Sequence, residues 1–367
     1  MSIAFITIGC VGLLGATYLL PLFGALFLSR ERKANSPISR KCGKLAIHII
    51  IPSVPGSASA CERTLRSLSN VRWPSNLSVT TRIAIDGRDP ELRQLAERYG
   101  VVWSERDRQR GKWQTLREAV IHGAPQGNWS GSDWIGFVDV GTIIPFSFGQ
   151  ELFPELEDPS LSGVFPAYEV QQQNSISSLV WGVERSLKSL ENSFGGTISA
   201  HGATMFFRSE AIQRAFSFFG TREFANDDVV IPLVVRLLFP HQSTKYLKNL
   251  CVTDSDVSLC DTKQRRRRLM LGNLEWIAEF LPLVLGHSTA LFLVTMRRVF
   301  RTFWAYWLGF IALGVFVAQP IAALMALAAV AVGVVASRQA RDLVRAFQYS
   351  LESPFRLFFM EEGIEWK

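Results

Sequence analysis

Two adjacent carboxylates, Asp227-Asp228, and a basic run, Gln264-Arg265-Arg266-Arg267-Arg268, are the residues of this chain best equipped for chemistry. A carboxylate within hydrogen-bond reach of a hydroxyl can act as a general base. With a like charge beside it, one of such a pair holds its proton more tightly. Guanidinium groups pair bidentately with phosphate oxygens. Upstream stand Asp86, Lys112 and Asp139. Dispersed acids can hold a base, a metal and an acceptor, and a basic cluster at a membrane surface can hold a diphosphate. Each feature also has a plainer alternative. A strand-end Asp caps helices and forms turns, Asp227-Asp228 can cap the helix that follows, and the arginine run can be a membrane-surface patch. It is their joint order that favours a site.

The elements needed to position these groups are legible in the pattern. Residues 45–51, Leu-Ala-Ile-His-Ile-Ile-Ile, form the continuous apolar, β-branched run of a buried parallel strand. A Pro, Gly and Ser loop follows, then helical spacing over 60–68. Residues 79–85 predict a second strand ending at Asp86-Gly87, 90–99 a helix closed by Gly100, and 101–103 a short strand. Arg110-Gly111-Lys112 opens a helix reaching His122, and 134–138 is a strand with Asp139 at its end. Strands alternating with helices predict an α/β domain with a mostly parallel, Rossmann-like sheet. Ligands bind such sheets outside the carboxyl ends of the strands, where Asp86 and Asp139 fall.

Composition sets this block among membrane segments. Of 367 residues, 48% are hydrophobic and only 19% charged, low for a wholly soluble protein. The net charge of +7 sits beside apolar runs, in Arg30-Glu31-Arg32-Lys33, Arg40-Lys41, Arg265 to Arg268, Arg297-Arg298, and Arg338 with Arg341 and Arg345. That is the pattern of cytoplasmic loops facing anionic lipid. No basic stripe interleaved with aromatics appears in the α/β block, so nucleic acid is not an expected partner. The cysteines Cys10, Cys42, Cys61, Cys251 and Cys260 form no Cys-x-x-Cys pair and predict neither a zinc site nor a disulfide framework.

Residues 3–28 carry no charge and satisfy the roughly 20 apolar residues a span needs. With basic residues only after this run, it predicts a retained anchor whose C-terminal flank is cytoplasmic. Residues 303–336 form a second uncharged run, roughly 50 Å long as one straight helix and so too long for a ~30 Å hydrocarbon core. Gln319-Pro320 near its middle predicts a break and two short spans. Residues 269–296 are apolar but interrupted by Glu275, Glu279, Pro282 and His287, which predicts one or two interfacial helices. The expected organisation is an anchor (1–29), a basic linker (30–43), an α/β domain (44–262), interfacial helices (263–300), a membrane hairpin (301–337) and an amphipathic tail (338–367).

The α/β block resembles membrane-bound family 2 glycosyltransferases with the GT-A nucleotide-sugar fold, relatives of the cellulose and hyaluronan synthases. The likeness runs from about Leu45 to Trp276 and rests on motif order and spacing. Ile85-Asp86-Gly87-Arg88-Asp89 is similar to the family's second-strand turn, whose first Asp contacts the base. Arg110-Gly111-Lys112 is similar to the R-G-K that opens a helix near the nucleotide. Asp139-Val140-Gly141 falls where the family has its D-x-D. Glu184-x-x-x-Lys188-x-x-Glu191, Phe194-Gly195-Gly196 and the stretch from His201-Gly202 to Arg208 are similar to the acceptor-side helix and strand. Asn226-Asp227-Asp228 resembles the motif that carries the general base, and Gln264-x-x-Arg267 resembles Gln-x-x-Arg-Trp on the first interfacial helix.

The resemblance implies an inverting hexosyltransferase of the bacterial inner membrane. It would be multi-pass, its catalytic domain cytoplasmic, and would use a UDP-sugar and Mg2+ or Mn2+ in polysaccharide, including exopolysaccharide, or glycolipid assembly. Its implied partners are the nucleotide-sugar donor, a lipid-linked or growing glycan acceptor and membrane lipids. Three spans are few for a polymer channel, which implies a homo-oligomer or synthesis complex, or else single transfer to a lipid carrier. The implied roles are base for Asp228 with Asp227 beside it, donor binding for Asp86, Lys112, Asp139, Gln264, Arg267 and Arg268, metal binding for Asp139, and acceptor contact for Glu184, His201 and Gly202. Three departures stand out: Gly141 replaces the second D-x-D carboxylate, Arg268 replaces the Trp, and Pro52-Ser-Val-Pro-Gly56 lacks the usual Asn-Glu. With one carboxylate the metal would lean on the diphosphate, water and another side chain such as His201. The missing carboxylate also supports an alternative, a non-catalytic relative that binds a nucleotide or an assembly partner. Taken alone, Glu184 and Glu191 read as a solvated helix face, and Phe216 to Phe219 as packing rather than a sugar platform.

Overall fold

The computed structural model describes residues 1–17, 19–24, 45–124, 129–170, 175–254, 262–337, 340–341, 344–345 and 347–352. The chain divides into two compact units, Met1–Ser29 with Leu259–Ile364, and Arg30–Ser258 with Glu365–Lys367.

The larger unit is built on a single eight-stranded sheet among its described residues. Its strands are β1 (Leu45–Ser53), β2 (Leu77–Ile85), β3 (Val102–Glu105), β4 (Trp134–Val138), β5 (Thr142–Ile143), β6 (Leu161–Val170), β7 (Thr204–Arg208) and β8 (Ser243–Asp254). They lie in the order β3-β2-β1-β4-β7-β6-β8-β5. β1 pairs in parallel with β2 and β4, and β2 with β3, as the repeated strand-helix pattern requires. The expectation of a mostly parallel sheet is corrected beyond β4. There β7 runs antiparallel to both β4 and β6, and β5 antiparallel to β8, while β6 and β8 are parallel. β5 follows β4 after a tight turn in which Thr142 N–H donates to Asp139 O at 3.2 Å. So short a connection cannot return the chain as a parallel neighbour of β4, and β5 pairs with β8 instead.

Helices α2 (Ala58–Ser69), α3 (Pro90–Tyr99) and α4 (Lys112–Ile121) connect the parallel strands. Ile47, Ile49 and Ile51 of β1 form one buried cluster with Cys61, Leu65 and Leu68 of α2 and Leu92 and Leu95 of α3. Each such aliphatic side chain contributes about 1.5–3 kcal/mol on full burial. Asp89 caps α3, its Oδ1 accepting from Glu91 N and Leu92 N, and Gly100 ends it in the left-handed conformation. Then come α5 (Phe148–Leu156), α6 (Ser175–Glu191), α7 (Ser209–Phe219) and α8 (Asp227–Leu238).

The second unit contains α1 (Ser2–Thr17), α9 (Thr262–Leu285), α10 (Thr289–Thr302), α11 (Trp304–Ala318) and α12 (Pro320–Ala336). Glycines let α1 approach its neighbours closely: Gly9 and Gly12 face Trp307, and Gly15 faces Phe300. Small residues serve the same purpose where apolar helices pack in membranes. Residues 269–296, read as one or two helices, fall in α9 and α10, and the break at Gln319-Pro320 separates α11 from α12. Among the described residues no single helix is long and apolar enough to cross a membrane; α10 and α11, bent by 60°, meet that test only as a pair. The run expected to anchor the chain at 3–28 is helical over 2–17 and 19–24, and residues 18 and 25–28 lie outside the described residues. The basic linker at 30–43, Cys42, Cys260 and most of the tail also lie outside them.

Candidate active site

Three carboxylates sit at carboxyl ends of strands that run the same way. Asp86 follows β2, Asp139 follows β4, and Asp254 is the last residue of β8. β8 is parallel to β6, and two antiparallel steps through β7 return β6 to the direction of β4. All three therefore reach the same edge of the sheet, where ligands bind folds of this kind.

Asp86 organises the entry to α4. Its buried carboxylate accepts from Arg110 N at 2.9 Å and from Gly111 N at 2.7 Å, and Arg106 Nη1 lies 3.5 Å away. Gly111 takes φ +90°, a conformation that suits glycine, as the N-cap of the helix. The second-strand turn and the R-G-K motif are thus one hydrogen-bonded assembly, and its product is a fixed Lys112 at the first position of α4.

Lys112 is the hub. Its Nζ stands 2.7 Å from Asp139 Oδ1 and 3.0 Å from Oδ2, and 3.0 Å from Asp227 Oδ2. Burial opposes the charge on Lys112, but the two carboxylates outweigh it and hold its pKa above the ordinary lysine value. Asp227 and Asp228 occupy the first turn of α8, whose N-cap is Asn226 with no side-chain capping bond. Both acids therefore stand at the helix N-terminus, as the capping alternative has it, and the Asp227 carboxylate pairs with Lys112 as well. Gly202 completes the cluster. A Cβ built there would lie 3.7 Å from Asp139 Oδ2, 3.8 Å from Asp228 Cβ and 3.9 Å from Lys112 Nζ. Three of the expected site residues therefore converge on one point, kept open because residue 202 has no side chain.

The acceptor-side residues do not form a solvated face. Glu184, Lys188 and Glu191 are all buried. Lys188 Nζ donates to Ala200 O at 3.2 Å, and Ala200 N–H donates to Asp228 O at 2.8 Å. The buried face of α6 thus fixes the backbone of Asp228. Arg236 of α8 donates to Gly196 O and, at 2.6 Å, to Phe194 O, closing the glycine turn on the same side. His201 is buried, with Nε2 3.0 Å from Tyr246 Oη. Phe216 and Phe219 pack against Trp113 and Phe224 in the core, as their sequence pattern predicts.

Gln264, Arg267 and Arg268 lie on α9, in the other unit. The side chains of Gln264 and Arg267 fall outside the described residues, and Arg268 is half-buried. For a metal, Asp139 offers hard oxygens but already holds Lys112, and among the described residues no group of three His, Cys, Asp or Glu side chains stands together as a ready cation site. Gly141 is anchored by its N–H to Thr64 Oγ1 at 2.9 Å and takes φ +93°. A Cβ at this glycine would meet Asp254 Oδ1 at 3.4 Å. Sequence reasoning missed Asp254, Thr64 and the role of Lys188. The strand-end rule that found Asp86 and Asp139 would have found Asp254 had the direction of β8 been known.

No protein-family model and no curated protein matches the chain. Among solved structures it is similar to a mannosyltransferase from Pyrobaculum calidifontis in complex with GDP-Man and Mn2+, at 14% identity and a TM-score of 0.70, over 98% of this chain and 100% of that one. Fainter likenesses are to glucosyl-3-phosphoglycerate synthase from Mycobacterium tuberculosis (14% identity, TM-score 0.39, 61% of this chain and 78% of that one) and to S. aureus TarS (13%, 0.42, 84% and 53%). The first likeness shows a shared fold, the GT-A arrangement.

Proposed function

We propose that this chain is an inverting glycosyltransferase that moves a sugar from a nucleoside diphosphate donor to a membrane-associated acceptor in polysaccharide or glycolipid assembly. The observation that carries this reading is the convergence of Lys112, Asp139 and Asp228 on Gly202 at the carboxyl edge of the sheet. Transfer needs a base for the acceptor hydroxyl and cations for the leaving diphosphate. Asp228 takes the hydroxyl proton as the acceptor oxygen attacks the anomeric carbon. The bond from that carbon to the diphosphate oxygen breaks, and its electron pair leaves with the diphosphate. Lys112, kept as an ammonium by its two carboxylates, faces the charge that develops there. Attack opposite the leaving group inverts the anomeric centre.

A divalent cation, Mg2+ or Mn2+, would neutralise the diphosphate when bound, with Asp139 as a protein ligand. The oxygen donors at the strand ends fit such an ion, which commonly takes one or two carboxylates and fills its remaining positions with phosphate oxygens and water. Gln264, Arg267 and Arg268 remain the proposed clamp on the diphosphate. The apolar helices of the second unit support a membrane-associated acceptor: on α12, Ile321, Met325, Val332 and Val335 are well exposed. The same helices support a multi-pass place in the inner membrane with the α/β unit cytoplasmic.

The test supplies the purified full chain with a panel of radiolabelled nucleotide sugars and bacterial lipids, then separates lipid-soluble product from polymer. UDP- and GDP-sugars both belong in it, since the resemblance implies the first and the similar mannosyltransferase binds GDP-Man. Label in neither fraction, with no donor hydrolysis, would favour the non-catalytic alternative.

A further inference from the structure

We propose that Asp254 supplies the divalent-cation carboxylate that the loop after β4 lacks. This rests on the glycosyl-transfer reading and identifies a metal ligand of that site. The loop Asp139-Val140-Gly141 is firmly held: Asp139 N–H donates to Ala203 O at 2.9 Å, Gly141 N–H to Thr64 Oγ1 at 2.9 Å, and Thr142 N–H to Asp139 O at 3.2 Å. At Gly141 the chain turns with φ +93°, and the space its side chain would enter is faced by one group. The atoms within 4 Å of a Cβ built there are Oδ1 and Cγ of Asp254, at 3.4 and 3.9 Å. A carboxylate is thus delivered to the loop from the neighbouring strand.

Strand pairing makes this delivery reliable. Thr142, next to Gly141, pairs with Asp254, and Ile143 pairs with Thr253. The β5–β8 ladder therefore sets the register of Asp254 against the loop, independently of any side-chain contact. Asp139 and Asp227 share the ammonium of Lys112, and Asp254 places a further carboxylate beside the loop. Asp139 can share a cation while paired with Lys112, because each carboxylate oxygen has two acceptor positions. Two carboxylates and the diphosphate then make a mixed oxygen site that is complete only when the nucleotide is bound.

The test is Mn2+ titration of the full chain with UDP or with GDP present, following free Mn2+ by its paramagnetic resonance signal. Asp254→Asn should weaken nucleotide-dependent Mn2+ binding by about tenfold or more. It should leave metal-free nucleotide binding within about twofold of the parent, because Asp86 and Lys112 are untouched. Parental Mn2+ affinity in Asp254→Asn overturns the assignment. Should that variant fail to fold, Asp254→Ser is read by the same criterion. A parent chain that binds neither nucleotide overturns the glycosyl-transfer reading, and this inference with it.

Discussion

Lys112 Nζ stands 3.0 Å from Asp227 Oδ2 and so ties the first residue of α4 to the first turn of α8. The same ammonium holds Asp139 at the end of β4. Elements more than a hundred residues apart in sequence thus meet at one charge, and the site's geometry depends on it.

Replacing that charge exposes the repulsion it masks. Lys112→Met leaves Asp139 and Asp227 without their shared counterion. Breaking a buried pair costs roughly 3–5 kcal/mol. The Asp139 side chain is 35% exposed, which places the expected loss near the lower end. In the variant the two facing carboxylates repel each other, so the penalty is full at neutral pH and is relieved as acid protonates Asp139, whose carboxyl burial already holds above the ordinary value. Urea unfolding at pH 7.5 and pH 5 checks this: the gap between parent and variant should narrow at pH 5. In the parent, Lys112 has the opposite profile. Its raised pKa means its contribution is present below the ordinary lysine value of 10.5 and is lost only as pH rises through the folded value.

Gly202 separates space from stability. A methyl group there would meet Asp139, Asp228 and Lys112 only at ordinary contact distances. Gly202→Ala should therefore keep its melting temperature close to the parent's, a change of about 1 kcal/mol or less. Gly202→Leu fills the point on which the three groups converge and should abolish transfer while the chain stays folded. Retained turnover in a folded Gly202→Leu variant would remove Gly202 from the site.

Cys61 provides a pH marker for the β1–α2 core. It is fully buried, and burial pushes its thiol up to about 11, against a small opposing effect from Ser53. A raised thiol pKa contributes stability that is present below the unfolded value near 9.0 and lost as pH rises toward 11. Native protein at pH 8 should resist alkylation at Cys61 while the urea-unfolded chain is labelled there, and mass spectrometry of the Cys61 peptide distinguishes the two. Equal labelling would contradict the buried placement.

Much of the fold was legible because the first half of the α/β unit follows local rules. Residues 45–51 and 134–138 declare strands by β-branched content, and Asp89, Pro90 and Gly100 mark both ends of α3. Strand direction was not legible beyond β4. It depends on pairings such as Phe137 with Met205 and Glu169 with Thr253, which no local periodicity records. The same limit hid Asp254. Glu184 and Glu191 were open to misreading for a related reason. Two glutamates seven residues apart suggest a solvated face, and only the packed position of α6 shows that Lys188 and Arg236 share their interior.

In the proposed mechanism Asp228 deprotonates an acceptor while Lys112 and Asp139 serve the donor end. Its most direct test compares Asp228→Asn with the parent in two assays on the same preparation, calorimetric binding of the donor nucleotide and transfer of radiolabelled sugar. The change is nearly isosteric, and the Ala200 N–H that holds residue 228 donates to its backbone oxygen, so the site should stay assembled. Donor affinity within about threefold of the parent, with transfer reduced by about 100-fold or more, is the expected result for loss of a general base. Full transfer by Asp228→Asn would mean that another group takes the acceptor proton.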